Sequence, residues 1–412
     1  FFGRYSGKME HGWLDSEGQR YYLDPETGIA AIGWLEMENK KYYFNDQGQL
    51  YRSLQTVNNK QFYFDDVTGE LLYGWIDNGK DKYYSDMKTG EILTGLVEIN
   101  QKKYYFNEKG QLQHLLQKIG DNYYFFGRYS GEMQYGWLSS ENKMYYLDPI
   151  DGHAYIGKQV IDGVEYTFRE DATLISQFIT KNNKTYYVYS DGTYANDWAW
   201  IAGSKYFFNS LGELIAKDAK FVIDVSTHQK EINWDAVKTE GKVDGVILRV
   251  GYGSFYEDEQ LANNIANLQR LGIPYGVYIF SYAENGAEAY NEANGMISMI
   301  DKYNMNPTLG VYYDIEDWDL GYANSRNISV EMYDIIINTF INRMNERGFV
   351  AKVYTGLNFA NNRLSSSARE KVSWIAQYAH NCTYTGYYTM WQYSSSERVS
   401  GIATNVDGNV LF

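Results

Sequence analysis

The sequence predicts two folds in one chain: an all-β solenoid of stacked hairpins over residues 1–216 and an eight-stranded α/β barrel over residues 217–412. Three observations carry that expectation. Glycine-ended turns recur every 20 or 21 residues through the first half. The rhythm stops after Gly212. Beyond it, short apolar runs alternate with helical patterns.

The first half repeats itself openly. Residues 1–13, FFGRYSGKMEHGW, return as FFGRYSGEMQYGW at 125–137, with ten of thirteen positions identical. The turn glycines are Gly28, Gly48, Gly69, Gly90, Gly110, Gly131, Gly152, Gly192 and Gly212, with Ala172 in the one slot that lacks Gly. A fixed period of this size is the signature of a solenoid. In one unit, GWLEMENKKYYFNDQGQL (33–50), Gly-Trp opens a short strand, a polar turn follows, and Tyr-Tyr-Phe forms a second strand. Two short strands around turn residues make a hairpin, and a lone hairpin is marginal in water. Stacking therefore has to bury the aromatic faces. The slot after Gly holds Trp13, Trp34, Leu54, Trp75, Leu96, Leu116, Trp137, Lys158, Phe178 and Trp198. Its bland reading is core, filled by any large apolar residue. Its sharper reading is a cage wall, because Trp offers the best face to a cation.

The second half has eight candidate strands: 221–226, 245–251, 275–281, 309–316, 351–356, 372–378, 387–393 and 406–412. Between the first six there is room for helices, and 257–272 and 329–348 have apolar residues at three- and four-residue spacing. The last gaps are too short for full helices. This order predicts a barrel of the TIM kind, degenerate at its end. Chemistry in such barrels sits at the C-terminal strand ends. Those ends carry Asp224, then Asp314 and Glu316, then Asp407 in the last strand. Asp314 and Glu316 are two apart and face one side of a strand. An Asp-x-Glu also arises by chance in a chain with 52 acidic residues. Inward carboxylates on a buried strand are nevertheless costly unless used or paired. Paired carboxylates are the usual apparatus for cleaving a glycosidic bond, and burial beside Asp314 would keep Glu316 protonated to act as the acid.

Composition narrows the alternatives. A net charge of −15 argues against nucleic acid and anionic lipid and suits a cationic ligand. One cysteine, Cys382, excludes an internal disulfide framework. With two His in the second half, His228 and His380, a zinc site of usual composition is not expected, and no metal or cofactor is called for. There is no apolar run long enough to span a membrane. No signal peptide is visible, and the chain opens in the middle of a repeat, as if a leader had been removed.

The pattern G-W-x(7)-Y-Y-[FL]-x(3–4)-G resembles the choline-binding repeat of surface proteins in choline-decorated Gram-positive walls. The resemblance implies aromatic cages for choline on teichoic and lipoteichoic acid, formed by Trp13, Trp34, Trp75 and Trp137 with Tyr22, Tyr43, Tyr84 and Tyr146. Units with Leu or Lys in the Trp slot are expected to be spacers. In the second half, DVSTHQ (224–229), INWDAV (232–237), GVYIF (276–280), YDIED (313–317), VYTG (353–356), WIAQY (374–378), MWQYSS (390–395) and NVDGN (405–409) resemble glycoside hydrolase family 25. That resemblance implies an irregular (β/α)5(β)3 barrel and a lysozyme, an N-acetylmuramidase that cuts the β-1,4 bond after N-acetylmuramic acid in peptidoglycan. Glu316 takes the acid/base role, and Asp224, Asp314 and Asp407 are the other site carboxylates. Asp314 would orient the substrate's N-acetyl group, whose oxygen acts as nucleophile. One departure is visible: the family commonly has His after the Tyr of its third strand, and here Ile279 follows Tyr278.

Together the halves resemble choline-binding autolytic lysozymes of the pneumococcal type, secreted to a Gram-positive cell wall. A non-catalytic wall adhesin and a chitinase-like enzyme are the competing readings.

Overall fold

The computed structural model describes residues 7–316 and 328–412. Asp317 of the YDIED stretch and the first six residues of the duplicated phrase lie outside the described residues. By contacts the chain divides into two compact units, one of 1–177 with 189–193 and one of 178–188 with 194–412.

The first unit is a run of antiparallel hairpins, each with strands of four or five residues, such as Gly12–Ser16 with Gln19–Leu23 and Gly33–Met37 with Lys40–Phe44. A two-residue turn fixes the register, so Trp13 stands opposite Tyr22, Trp34 opposite Tyr43, Trp75 opposite Tyr84 and Trp137 opposite Tyr146. Successive hairpins are stitched by backbone bonds at the same step: Leu50 N–H donates to Arg20 O, Leu71 to Lys41 O, Leu112 to Lys82 O and Met133 to Lys103 O, each at 2.8 Å. The turn glycines serve the stacking as well as the turn. Gly69 has φ +75°, and a Cβ there would lie 2.4 Å from Leu50 Cδ2 of the preceding unit. Ala172 adopts the same left-handed conformation at φ +64°.

The second unit holds a closed barrel of eight strands: β1 Lys220–Val225, β2 Gly245–Tyr252, β3 Tyr275–Phe280, β4 Val311–Asp314, β5 Ala351–Gly356, β6 Val372–Ala376, β7 Met390–Glu397 and β8 Val406–Leu411. Strands β1 to β7 pair in parallel order, and β8 closes the ring antiparallel to both β7 and β1. Helices α1 Trp234–Glu240, α2 Leu261–Leu271, α3 Gly286–Lys302 and α4 Val330–Asn345 follow β1 to β4, and α5 Leu357–Arg363 follows β5. Asn233, Asn285 and Ser329 cap α1, α3 and α4 by accepting a backbone N–H of the first turn.

Alternation along the strands separates two cores. Phe221, Ile223 and Val225 of β1 join the large core packed under the helices. Val222 faces the barrel axis, with Ile247, Tyr278, Tyr312, Tyr354, Trp374 and Met390. The interior is thus filled by aromatic side chains rather than open.

The hairpin Asp197–Ile201 with Ser204–Phe208, extended by Leu214–Lys217, belongs to the second unit. Its Phe207 is 2% exposed and lies 4.6 Å, centre to centre, from Tyr393 of β7. The Trp198 indole N–H donates to the Tyr393 hydroxyl at 3.1 Å.

Candidate active site and aromatic triads

All four carboxylates singled out in the sequence reach one end of the barrel interior. Asp224 is the next-to-last residue of β1, Asp314 ends β4, and Glu316 follows two residues on. Asp407 comes from the start of β8. It still arrives at the same end because β8 is antiparallel, and it stands in register with Asp224.

Asp224 is 6% exposed. Its Oδ2 accepts from Gln392 Nε2 at 2.9 Å and from Asn409 Nδ2 at 2.8 Å. The orientation of the Asn409 amide is dictated by its other partner. Asn409 Oδ1 accepts from the indole N–H of Trp374 at 2.8 Å, and an indole can only donate. Gln392 Oε1 accepts from the hydroxyls of Tyr354 at 2.8 Å and Tyr378 at 2.9 Å. Two N–H groups therefore converge on Asp224 Oδ2, which must act as acceptor.

The proton between Asp224 and Asp407 then belongs to Asp407. Burial, the Asp224 charge and the hydrogen bond to it push the Asp407 carboxyl up to about 8. Burial also raises Asp224, against the pull of the Asn409 and Gln392 hydrogen bonds. Asp314 is raised well above the usual carboxylate range by burial and then by the charge of Glu316. Glu316 is raised by burial, opposed by hydrogen bonds to Asp314 and Tyr354. One oxygen of Asp314, Oδ1, is buried and accepts no hydrogen bond from the described residues. Arg249 of β2 supplies the opposing charge and counters the rise at Asp314. It is held by Asp258, whose Oδ2 accepts from Arg249 Nε at 2.8 Å and from Thr227 N at 2.9 Å.

A neutral, half-buried Asp407 has a consequence for stability. Its folded value lies above its ordinary 3.8. The contribution is complete below the unfolded pKa and is lost as pH rises through the folded one. Melting temperature should therefore fall between about pH 4 and 8, and fall less in Asp407→Asn, which keeps a donor toward Asp224. Parallel pH curves for the two proteins would show that Asp407 does not carry the proton.

Sequence reading did not find Arg249, Tyr354, Tyr378, Gln392 or Asn409 as site residues. The lone Arg in the apolar run GVILRVG was the one visible signal. Ile279, the departure noted in the third strand, is fully buried in the core beneath the helices, whereas Tyr278 faces the barrel axis.

In the first unit each Trp of interest stands in a triad. Trp13 is 5.2 Å from both Tyr22 and Tyr42. Trp34 lies 5.2 Å from Tyr43 and 5.1 Å from Phe62. Trp75 lies 5.2 Å from Tyr84 and 5.0 Å from Tyr104, and Trp137 lies 5.0 Å from Tyr146 and 4.9 Å from Tyr166. The third ring always comes from the next hairpin. Beside Trp34 and Phe62 is a cavity of about 510 Å³, also lined by Glu36 and Lys41.

The chain thus combines a run of hairpins with repeated aromatic triads and a barrel whose mouth gathers four carboxylates. More particularly, residues 223–402 match glycosyl hydrolases family 25, and 32–50, 94–112 and 176–194 match the cell wall binding repeat. The second unit carries a family 25 module and the ladder carries wall-binding repeats. The chain is similar to the modular autolysin LytC from Streptococcus pneumoniae, at 29% identity over 98% of this chain and 100% of that one, with a TM-score of 0.51. That protein has also been solved in complex with a synthetic peptidoglycan ligand. Lysozyme M1 of Streptomyces globisporus is 29% identical over 196 residues, 45% of this chain and 66% of the relative. The autolytic lysozyme of Clostridium acetobutylicum is 24% identical over 186 residues, 45% of this chain and 53% of the relative. The chain thus spans just under two thirds and about half of these two relatives. No helix among the described residues is long and apolar enough to cross a membrane.

Proposed function

We propose that this protein is a cell-wall lysozyme at the surface of a Gram-positive bacterium. Residues 1–216 grip choline on teichoic and lipoteichoic acid. Residues 217–412 hydrolyse the β-1,4 bond between N-acetylmuramic acid and N-acetylglucosamine. The barrel is of the irregular (β/α)5(β)3 form: helices follow the first five strands, and the last two gaps hold none among the described residues.

The observation that carries this reading is the Asp314–Glu316 pair at the end of β4, with Asp314 buried and its Oδ1 left without a donor among the described residues. In the free site the pair keeps a proton to unusually high pH, and burial favours Asp314 as its holder. An acetamide N–H donating to Asp314 would stabilise that carboxylate as an anion. The proton then passes to Glu316, which faces the leaving oxygen. As the C1–O4 bond breaks, Glu316 protonates O4 and the acetamide oxygen closes on C1. Water, deprotonated by Glu316, opens that ring, leaving both the acid and the acetamide restored. Asp224, held by Gln392 and Asn409 and facing the protonated Asp407, places negative charge near the developing oxocarbenium.

The triads supply the grip. A cation over an aromatic face is worth about 0.5–2 kcal/mol, so one site is weak. Several sites on one polymer gain through effective concentration.

Mass analysis of muropeptides released from purified walls tests the proposal. New reducing ends should fall on muramic acid, and free choline should release the protein from choline-bearing walls. Reducing ends on glucosamine would make it chitinase-like, and wall retention without any new ends would make it an adhesin.

A further inference from the structure

The ladder treats its own cations unequally. At two Trp units a basic side chain lies over the indole. The Arg20 guanidinium carbon is 4.6 Å from the Trp13 ring centre, and Lys205 Nζ is 5.0 Å from that of Trp198. Both residues hold the same register place, directly before the first aromatic of the second strand. In the units of Trp34, Trp75 and Trp137 that place holds Lys41, Lys82 and Met144. Among the described residues no Lys or Arg lies over those three rings. They are 45%, 45% and 40% exposed, while Trp13 and Trp198 are half-buried.

The chemistry of the side chains explains the split. Lys41 and Lys82 pair across the hairpin with Glu36 at 3.8 Å and Asp77 at 3.4 Å, as Arg20 pairs with Asp15 at 3.5 Å. The ion pair alone therefore does not draw a cation over the ring. A guanidinium is planar and weakly hydrated, so it stacks where an ammonium stays in water. Among the described residues the buried Arg20 Nε finds no hydrogen-bond partner, its ion-pair contact to Asp15 Oδ1 being 3.5 Å long. Lys205 is a different case. It is buried, donates to Lys242 O at 3.0 Å and pairs with Asp244, so it belongs to the fold.

We propose that Arg20 is a built-in occupant of the Trp13 triad, and that Trp34, Trp75 and Trp137 are the triads open to an organic ammonium ligand. This rests on the cage reading of the repeats. A tethered cation competes at high effective concentration, and an incoming one must displace it.

Fluorine NMR of the full chain, labelled with fluorotryptophan and titrated with choline, tests the proposal. Single Trp→Phe variants assign the resonances. Trp34, Trp75 and Trp137 should move with choline, and Trp13 should stay still at concentrations that saturate them. Arg20→Met, which installs the residue found at 144, should bring Trp13 into the moving set, with affinity raised by about tenfold or more. The Trp34 titration in each variant reports that the ladder is intact. If Trp13 already titrates in step with Trp34 in the unaltered chain, the proposal is overturned while the cage reading stands. If no Trp moves in any protein, the cage reading fails and the proposal falls with it.

Discussion

Glu316→Gln is expected to abolish hydrolysis while leaving the fold and wall retention intact. The substitution keeps the shape of the side chain and its place two residues beyond Asp314. It removes the transferable proton, and general acid–base transfer contributes about 10²–10⁴-fold to rate. Residual turnover should therefore lie at about one per cent or less. The unaltered protein should lose activity as pH rises through the elevated value of Glu316, because the acid form is the competent one. The variant's residual rate should not follow that limb. Steady-state rates on soluble glycan fragments across pH, with choline-dependent release from walls as the control for folding, decide the matter. A variant that retains more than about a tenth of the activity would rule out the acid role.

What the sequence made legible follows from where periodicity rules. The strand register was legible, because a Trp and a Tyr nine residues apart across a two-residue turn must face each other, as Trp13 and Tyr22 do. The third ring was not. Tyr42 lies one hairpin on, and its approach to Trp13 depends on how hairpins stack. In the barrel, Asp224, Asp314 and Glu316 stood at strand ends and could be read as such. Gln392 and Asn409 could not, since an amide on a buried strand carries no charge signal. Their purpose emerges once β7 and β8 close beside β1. Trp198 misleads for the same reason. It fills the repeat's Trp slot, yet its ring lies 5.6 Å from Phe221 of β1 and its N–H bonds to Tyr393 of β7.

That last packing sets the second large effect: a fragment of 217–412 should be far less stable than one of 194–412. The shorter piece keeps all eight barrel strands and all four carboxylates, and by chemistry alone it is complete. By packing it is not. Phe207 belongs to the same core as Phe221, Val225 and Trp391, and removing it uncovers the aromatic wall of β7. Truncating a buried Phe costs about 3–5 kcal/mol, a large part of the 5–15 kcal/mol that holds a typical domain. Polar ties go with it: Lys205 to Asp244 and to Lys242 O, and Asn209 Nδ2 to Asn381 Oδ1 at 3.2 Å. At roughly 2–4 °C per kcal/mol for a domain of this size, melting should drop by at least about 6 °C. Exposed Phe221, Trp391 and Tyr393 should also make the short fragment self-associate. The longer fragment should cleave soluble glycan at nearly the rate of the full chain. On choline-bearing walls it should be slower, because the multivalent grip is gone. Scanning calorimetry of the two fragments is the direct comparison. Equal melting temperatures would mean that the hairpin at 197–217 merely rests on the barrel and contributes nothing to its stability.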